Sequence, residues 1–365
     1  DLETAILRAE AIYLETNSDI RVGKKIFGLT LKEIVDKYLI YRQDDVLMKN
    51  ITRRRLIVMR SQAQHFLDFK GKDTKVNSLN RTSCHEYELY RVKKYPNTQK
   101  VTIRNEKSTI NAIMRYAYAN GYSHIDKFSF RKTVIKGDER SRRNTFTLSE
   151  YDHLVRFMRT YVSKKEYPLM KEQERLERLM VRDAILLLSN TMCRVGELLQ
   201  LKWKDIIGIE KIFAKDGKSI SLVTINVRGE ISKTRNARRV PVRGGEYIER
   251  MRKRAKYTSP EDYIFCAVGK RTRPMPIWWY RHWKELMNGI GMPDYKKRKI
   301  TLYSLRHFGI TCRIRSKAML SDIAKLAGTS AIYVENTYGH YDDDMLRDAS
   351  LKNFSVDTYG IDFKD

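Results

Sequence analysis

Apolar side chains recur every three or four positions along most of the chain, the spacing that places them on one face of a helix. Thr30 followed by Glu33 predicts a capping box that opens one such helix, and Asn120-Gly121 predicts the end of another. Helices are predicted over 1–17, 30–41, 56–69, 84–92, 101–120, 172–188, 278–287, 304–316, 321–327 and 332–338, with further starts near 147 and 195. The fold is therefore predicted to be mainly α.

Residues 219–242 break this helical pattern. A run of β-branched and other apolar residues from Ile220 to Val227 is typical of a strand, and Arg239-Val240-Pro241-Val242 is typical of a second one. The pattern predicts a small antiparallel sheet within the C-terminal half of the chain. That half is accordingly predicted to be a mixed α/β domain.

Five segments follow from these patterns. An N-terminal helix and linker cover 1–27, a small basic helical domain covers 28–130, and a polar basic linker covers 131–147. A larger domain containing the predicted sheet covers 148–341, and an acidic tail covers 342–365. The linker has no apolar periodicity, which fits either a solvated connection or a segment lying along a phosphate backbone.

Charge changes the picture. The 365 residues carry 72 Lys and Arg against 44 Asp and Glu, a formal net charge of +28. The excess lies in 51–150 and 151–340, whereas 341–365 is acidic. Basic charge spread over this much folded chain indicates an extended polyanion partner, since a merely solubilising surface usually mixes both signs. No apolar run reaches the ~18 residues of a membrane span, so an integral membrane protein is excluded.

Three short segments carry candidate chemistry. In the first, Arg194 precedes Glu197 by about one helical turn, which taken alone is typical of a surface ion pair. In the second, Tyr303 and Arg306 are three residues apart and therefore share one helix face. A third segment, from Gly328 to His340, contributes a tyrosine, and one tyrosine among 22 is by itself a weak indication of a nucleophile.

In order and spacing, these segments resemble the tyrosine recombinases, the phage-integrase family of site-specific DNA recombinases. The resemblance covers about 28–345 and is strongest in Thr191–Leu201, Ser232–Val242 and Tyr303–Tyr341. It implies a helical core-binding domain and a catalytic domain that hold a DNA duplex from opposite sides. It also implies that the helix within 1–27 corresponds to the segment after the arm-binding domain of many phage integrases.

The resemblance assigns a role to each matching residue. Arg194 and Arg306 would hold the non-bridging oxygens of the scissile phosphate, a task that suits planar, permanently charged guanidinium groups. Tyr338 would attack the phosphorus and form a 3′-phosphotyrosyl bond, and Lys233 would protonate the leaving 5′-oxygen. Tyr333 and Tyr341 lack the family spacing. The bond energy is kept in the tyrosyl ester, so no cofactor and no metal are expected.

Two positions depart from the family pattern. Tyr303 stands where the family usually has His, and Thr329 stands where it has His or Trp; either hydroxyl could still donate a hydrogen bond to the phosphate. Glu197 is expected to orient Arg194. His307 and His340 are expected to support the catalytic residues and not to contact the phosphate itself. The side chain of His307 is expected to face away from the site, because it lies about 100° around the helix from Arg306.

Further basic residues are expected to contact DNA phosphates: Arg142, Arg143, Arg235 and Arg239. The expected partner is double-stranded DNA bearing specific recombination sites, with a monomer in free solution, a homotetramer on DNA, accessory DNA-bending proteins and no membrane. The acidic tail is expected to contact a neighbouring protomer. The aromatic cluster of Trp278, Trp279, Tyr280 and Trp283 is expected to pack in the core. The expected location is the cytoplasm of a bacterial host, at the nucleoid.

Two other functions remain open from the residues alone. A chain that kept the fold but lost turnover would be a sequence-specific DNA-binding protein. A strand nicker like the type IB topoisomerases would use the same tyrosine chemistry without paired sites. A covalent protein–DNA adduct distinguishes an enzyme from the binding protein, and relaxation of plasmids without a recognition site favours the topoisomerase.

Overall fold

A computed structural model describes residues 1–21, 28–134, 144–213, 217, 219–338, 354–357 and 360–363. The chain divides into two compact units, Asp1–Ser141 and Arg142–Asp365. Residues 135–143, which form the middle of the predicted linker, lie outside the described residues. No helix in the described part of the chain is both long enough and apolar enough to cross a membrane.

The first unit is helical. Its helices are α1 (Leu2–Arg21), α2 (Leu31–Leu47), α3 (Arg53–Lys70), α4 (Tyr87–Lys94) and α5 (Lys100–Ala119). The predicted capping box is confirmed: the Thr30 backbone amide donates to Glu33 Oε2 at 2.7 Å, and the Glu33 amide donates to Thr30 Oγ1 at 3.2 Å. Apolar faces of α2, α3 and α5 form the core, with Ile34, Phe66 and Ile110 fully buried.

A buried ion pair links two helices of this first unit. Arg91 on α4 donates from Nε to Glu106 Oε2 at 2.8 Å and from Nη2 to Oε1 at 2.9 Å. Tyr87 donates to the same carboxylate at 2.9 Å. The two charges of this pair therefore compensate each other in the core, where an unpaired charge would be strongly destabilising.

The second unit combines helices with a small sheet. Its elements are α6 (Leu148–Tyr161), α7 (Glu172–Thr191), α8 (Val195–Leu198), β1 (Ile206–Phe213), β2 (Ser219–Val227), β3 (Arg238–Arg243), α9 (Gly245–Arg254), α10 (Pro276–Gly289), α11 (Ser304–Arg315), α12 (Leu320–Ala327), α13 (Ala331–Tyr338), β4 (Phe354–Asp357) and β5 (Gly360–Phe363). Within the predicted acidic tail, the described residues form β4 and β5, an antiparallel pair.

The main sheet has the order β1-β2-β3 and is antiparallel throughout, which confirms the predicted small sheet. Besides β4 and β5, two further elements were not predicted. On β1, Ile207, Ile212 and Phe213 are exposed, so its sequence lacks the alternation that indicates a half-buried strand. On α9, Ile248 and Met251 are the apolar side chains that reach the core, and the rest of this short helix is mostly charged.

Close packing of α7 against α11 positions the second arginine of the sequence motif. A Cβ added to Gly309 would lie 2.1 Å from the Ser189 carbonyl oxygen, so the two helices approach at a distance that only glycine permits. Trp279 and Trp283 on α10 are buried in the main core and Trp278 packs against it, which confirms the predicted core packing of these rings. The prediction is wrong for Tyr280, which is 64% exposed because its side chain points to solvent from the same helix. Because α11 packs so closely on α7 at Gly309, Arg306, three residues earlier on α11, lies against the end of α7.

Candidate active site

Arg306 is enclosed by the protein. It is 1% exposed, and its Nη1 donates to the Met192 carbonyl at 2.5 Å and to the Ala327 carbonyl at 2.6 Å. Met192 ends α7 in the left-handed conformation, with φ of 53°, and its carbonyl is the one that Arg306 contacts. Arg306 forms no ion pair with any residue that the structure describes, and burial lowers the pKa of its guanidinium.

A single buried carboxylate joins two further arginines. Glu197 is 1% exposed; its Oε1 lies 2.8 Å from Arg194 Nη1, and its Oε2 lies 2.7 Å from Arg238 Nη2. Burial by itself would raise the pKa of Glu197, but the two guanidinium groups outweigh burial and hold the pKa below its usual value. Arg194, Arg238 and Arg306 are here called the arginine cluster. Among the residues that the structure describes, Glu197 is the carboxylate that pairs with this cluster.

Arg238 is the residue of this cluster that the sequence reading missed. Along β3, Arg238, Val240 and Val242 face inward, whereas Arg239 faces solvent. Reading the alternation back from the two valines could have identified Arg238 as an inward-facing arginine. Its Nε also donates to the Leu326 carbonyl at 3.2 Å, so it joins β3 to α12 as well as to Glu197.

Gly328 ends α12 beside these arginines. It has φ of +65°, and its carbonyl accepts a hydrogen bond from Arg194 Nη2 at 2.9 Å. A Cβ at this position would lie 2.6 Å from Arg238 Cζ, so a side chain would be strained and would also collide with the guanidinium. The next residue, Thr329, is half-buried and its amide donates to the Ala324 carbonyl at 3.0 Å.

Tyr338, at the end of α13, lies beside a histidine. Its hydroxyl is 2.6 Å from Nδ1 of His307, and the ring of Tyr303 packs edge-on against the same imidazole with centroids 5.1 Å apart. Burial raises the pKa of Tyr338, and the nearby Arg306 charge acts in the opposite direction. Tyr338, His307 and Tyr303 therefore form a contiguous group next to the arginine cluster.

The prediction that His307 faces away from the site is wrong. It is 8% exposed and contacts the predicted nucleophile directly. His307 lies about 100° around the helix from Arg306, and that rotation would carry its side chain away from the site only if one side of the helix were exposed. The residues 304–310 of α11 are all buried, so neighbouring positions on this helix meet different parts of the same interior.

Other predicted residues lie apart from the cluster. Lys233 and Arg235 are exposed in the segment that joins β2 to β3, and Arg239 is exposed on the outer face of β3. Within the described residues, no hydrogen bond or ion pair joins Lys233 to the arginine cluster. The remaining predicted residues lie outside the described residues: Arg142, Arg143 and His340.

The model of the Phage integrase family matches residues 145–345, which is more than half of the chain, and the chain belongs to this family. This match includes every described residue of the arginine cluster and Tyr338. A search of curated proteins finds no match. Among the described residues, no group of His, Cys, Asp or Glu is arranged to hold a metal ion.

Solved structures share the fold at low sequence identity. The Tn1549 transposon integrase (residues 82–397), in complex with circular intermediate DNA, matches with a TM-score of 0.61 and 16% identity, covering 88% of this chain and 99% of that chain. The XerH site-specific recombinase, bound to a palindromic difH substrate, matches at 0.62 and 15%, covering 83% and 80%. A lambda integrase dimer bound to a COC′ core site matches at 0.57 and 16%, covering 94% and 89%.

Proposed function

We propose that this protein is a site-specific DNA recombinase that cuts and rejoins DNA through a covalent 3′-phosphotyrosine intermediate and a Holliday junction. Membership of the phage integrase family supports this function. The supporting observation within the site is the buried guanidinium of Arg306, which has no ion pair in the described structure and lies near the hydroxyl of Tyr338. A phosphodiester is the anion that such a site would accept beside a nucleophile.

Each polar side chain of the site has a distinct role in this proposal. Arg194 and Arg306 would bind the non-bridging oxygens and stabilise the charge that develops on them during transfer. Glu197 holds one of these arginines through its ion pair, and its position fixes the direction of the remaining guanidinium donors. Tyr303 and Thr329 would add hydroxyl donors from the two sides of the cluster.

Lys233 would protonate the leaving 5′-oxygen. The lysine is exposed on the segment between β2 and β3, so it would reach the phosphate only with DNA bound. A general acid often takes its working position in the substrate complex, and separation in the free protein is compatible with this role. Replacing Lys233 with alanine should therefore slow cleavage with little effect on thermal stability.

The proposed partner is double-stranded DNA, in keeping with the DNA complexes of the three structural relatives. Arg142, Arg143, Arg235 and Arg239 would contact phosphates, because the chain carries a formal charge of +28. A homotetramer would form on paired sites, with a monomer in free solution and DNA-bending proteins as accessories. The acidic tail would contact a neighbouring protomer, and the enzyme would act at the nucleoid in a bacterial cytoplasm.

Capture of a covalent adduct tests this function and identifies the target site in the same experiment. The protein is incubated with a pool of nicked duplexes of random sequence, and SDS-resistant protein–DNA adducts are isolated and sequenced. We expect adducts on a restricted set of sequences, with none from Tyr338→Phe. An absence of adducts from the native protein would contradict the enzyme, and adducts from Tyr338→Phe would contradict the assigned nucleophile.

The same preparation separates the alternative functions. A catalytically reduced DNA-binding protein would retain selected duplexes and yield no adduct. A strand nicker of the topoisomerase type would relax supercoiled plasmids that lack any selected sequence. We expect instead that the native protein recombines two plasmids only when both carry the selected site.

A further inference from the structure

The tyrosine hydroxyl that attacks phosphorus must lose its proton, and the structure has a candidate acceptor in contact with it. Nδ1 of His307 lies 2.6 Å from the hydroxyl oxygen of Tyr338. This distance is at the short end of the range over which a side chain can take a proton directly from a reacting group. His307 is 8% exposed and Tyr338 is half-buried, so the contact is partly shielded from solvent.

The need for an acceptor is greater here than for a phenol in water. Burial raises the pKa of Tyr338, and the positive charge of Arg306 offsets only part of that rise. At neutral pH the hydroxyl is therefore protonated before attack. Tyr303, which immediately precedes the first residue of α11, has a neutral hydroxyl that is a poor base.

The surroundings hold the imidazole in one orientation. The Tyr303 ring packs against it at 63°, and the ring of Tyr338 lies 5.3 Å away on a different element. The backbone amide of His307 lies in the first turn of α11, whose neighbouring side chains are buried. A histidine held in this way loses little conformational freedom when it accepts a proton, which favours a catalytic role over a transient contact.

We propose that His307 is the general base of the cleavage step and accepts the Tyr338 proton at Nδ1. This proposal rests on the proposed function, since it needs Tyr338 as the nucleophile. In this proposal the neutral imidazole would carry its hydrogen on Nε2, so that the Tyr338 hydroxyl, 2.6 Å away, would donate to Nδ1. As the tyrosine oxygen forms its bond to phosphorus, its proton moves to Nδ1 and the bond from phosphorus to the 5′-oxygen breaks.

The proton balance closes over the whole reaction. The 5′-oxygen leaves with a proton supplied by the general acid, for which Lys233 is proposed. In rejoining, a 5′-hydroxyl attacks the phosphotyrosine and gives its proton back to the now neutral Lys233. The tyrosine oxygen leaves, and the protonated His307 returns its proton to that oxygen. The imidazole thus works as base in one direction and as acid in the other, as microscopic reversibility requires.

The chain contains a matched control for this histidine. His282 on α10 is also buried, and its Nδ1 also lies 2.6 Å from a tyrosine hydroxyl, that of Tyr161. This second pair lies outside the arginine cluster. His282→Asn therefore removes a similar buried contact without touching Tyr338.

The first measurement is the rate of adduct formation on a duplex selected by the native protein. We expect His307→Asn to slow this rate about 10²-fold, the lower range for general base catalysis, with unchanged DNA affinity. His282→Asn should react at the native rate. Equal rates for His307→Asn and the native protein would overturn the proposal, whereas failure of the native protein itself to form adducts would overturn the proposed function instead.

A sulfur atom in place of the bridging 5′-oxygen separates the base from the acid, because a thiolate leaves without a proton. We expect Lys233→Ala to regain most of its rate on this substrate and His307→Asn to remain slow. Recovery of His307→Asn on the sulfur substrate would show that His307 assists the leaving group, and would overturn its assignment as the base.

A more acidic nucleophile distinguishes proton acceptance from simple positioning. With 3,5-difluorotyrosine incorporated at position 338, the hydroxyl ionises more readily and needs less help. We expect the loss caused by His307→Asn to shrink at least tenfold in this background. An unchanged loss would assign His307 a positioning role and overturn the proposal.

One substitution keeps the shape of the imidazole in case His307→Asn does not fold. Triazolylalanine at position 307 has the outline of histidine with a much less basic ring. We expect normal thermal stability and normal DNA affinity with slower adduct formation. A native rate with this weakly basic ring would also overturn the proposal.

Discussion

Two buried arginines, one in each unit, have opposite surroundings. Arg91 in the helical unit is 4% exposed and faces Glu106 through two parallel hydrogen bonds. Arg306 in the second unit is 1% exposed and donates to two backbone carbonyls. Carbonyl oxygens satisfy hydrogen bonds but do not neutralise a full charge. The charge of Arg91 is therefore compensated by a carboxylate of the protein. The charge of Arg306 is not, and in the proposed function a bound phosphate would compensate it.

The comparison extends to the carboxylates. Glu106 forms an ion pair with one arginine and accepts a hydrogen bond from one tyrosine. Glu197 forms ion pairs with two arginines, so the arginine cluster keeps a net positive charge. A closed pair contributes to specifying the helical core. An excess of buried positive charge costs stability in the free protein. In the proposed function, binding of a phosphate would recover that cost at the position where the transition state needs donors.

The largest expected effect is on the stability of the compensated pair. Arg91→Met should leave Glu106 as an uncompensated buried charge and lower the free energy of unfolding by about 3–5 kcal/mol. Chemical denaturation of the native and variant proteins measures this change. The double variant Arg91→Met with Glu106→Leu should regain most of the loss, and a double variant as unstable as the single one would contradict the assignment.

The next effect is on catalysis by the uncompensated arginine. Arg306→Lys keeps a positive charge but loses the planar fork, and we expect adduct formation to slow about 10²–10³-fold, as for loss of one transition-state donor. Thermal unfolding should shift only slightly downward, because the lysine ammonium can still donate to a backbone carbonyl but is more strongly hydrated than a guanidinium and costs more to bury. If Arg306→Lys were much less stable than the native protein but fully active at low temperature, Arg306 would have a structural role like that of Arg91, and the contrast between the two arginines would be wrong.

A smaller effect separates two adjacent arginines on β3. Arg238→Ala should slow adduct formation about 10–100-fold, because Glu197 loses one partner and no longer fixes Arg194. Arg239→Ala should act on DNA affinity instead, reducing the slope of log affinity against log salt by about 1. Titrations at several salt concentrations and single-turnover rates distinguish the two. Similar behaviour of both variants would contradict the inward and outward assignment.

The smallest effect is stabilisation by a free anion. Inorganic phosphate should raise the free energy of unfolding of the native protein by about 0.4 kcal/mol when its concentration equals its dissociation constant. Arg306→Lys should respond less, and Arg91→Met should respond like the native protein. Thermal unfolding with and without phosphate, at constant ionic strength, provides the measurement. An equal response of Arg306→Lys would show that phosphate binds elsewhere.

The sequence predicted features that depend on local chemistry. The predicted capping box at Thr30 and the predicted helix start near 147 are both present, because a cap and its third residue interact within one turn. The β2 and β3 strands follow from local alternation, and the family follows from the spacing of motifs that a single chain displays. By contrast, β1 is partly solvent-facing and α9 is highly charged, so their patterns were too weak to predict.

By itself, the sequence determined the mainly helical fold, the family, and the choice of Arg194, Arg306 and Tyr338 as candidate residues. Only the tertiary structure decided which groups meet them. Arg238 reaches Glu197 from a strand 41 positions away, and His307 reaches Tyr338 from 31 positions away. Contacts at such separations depend on how helices and strands pack against one another. The position of a residue on its own helix gives the direction of its side chain, but it does not tell which other element lies in that direction.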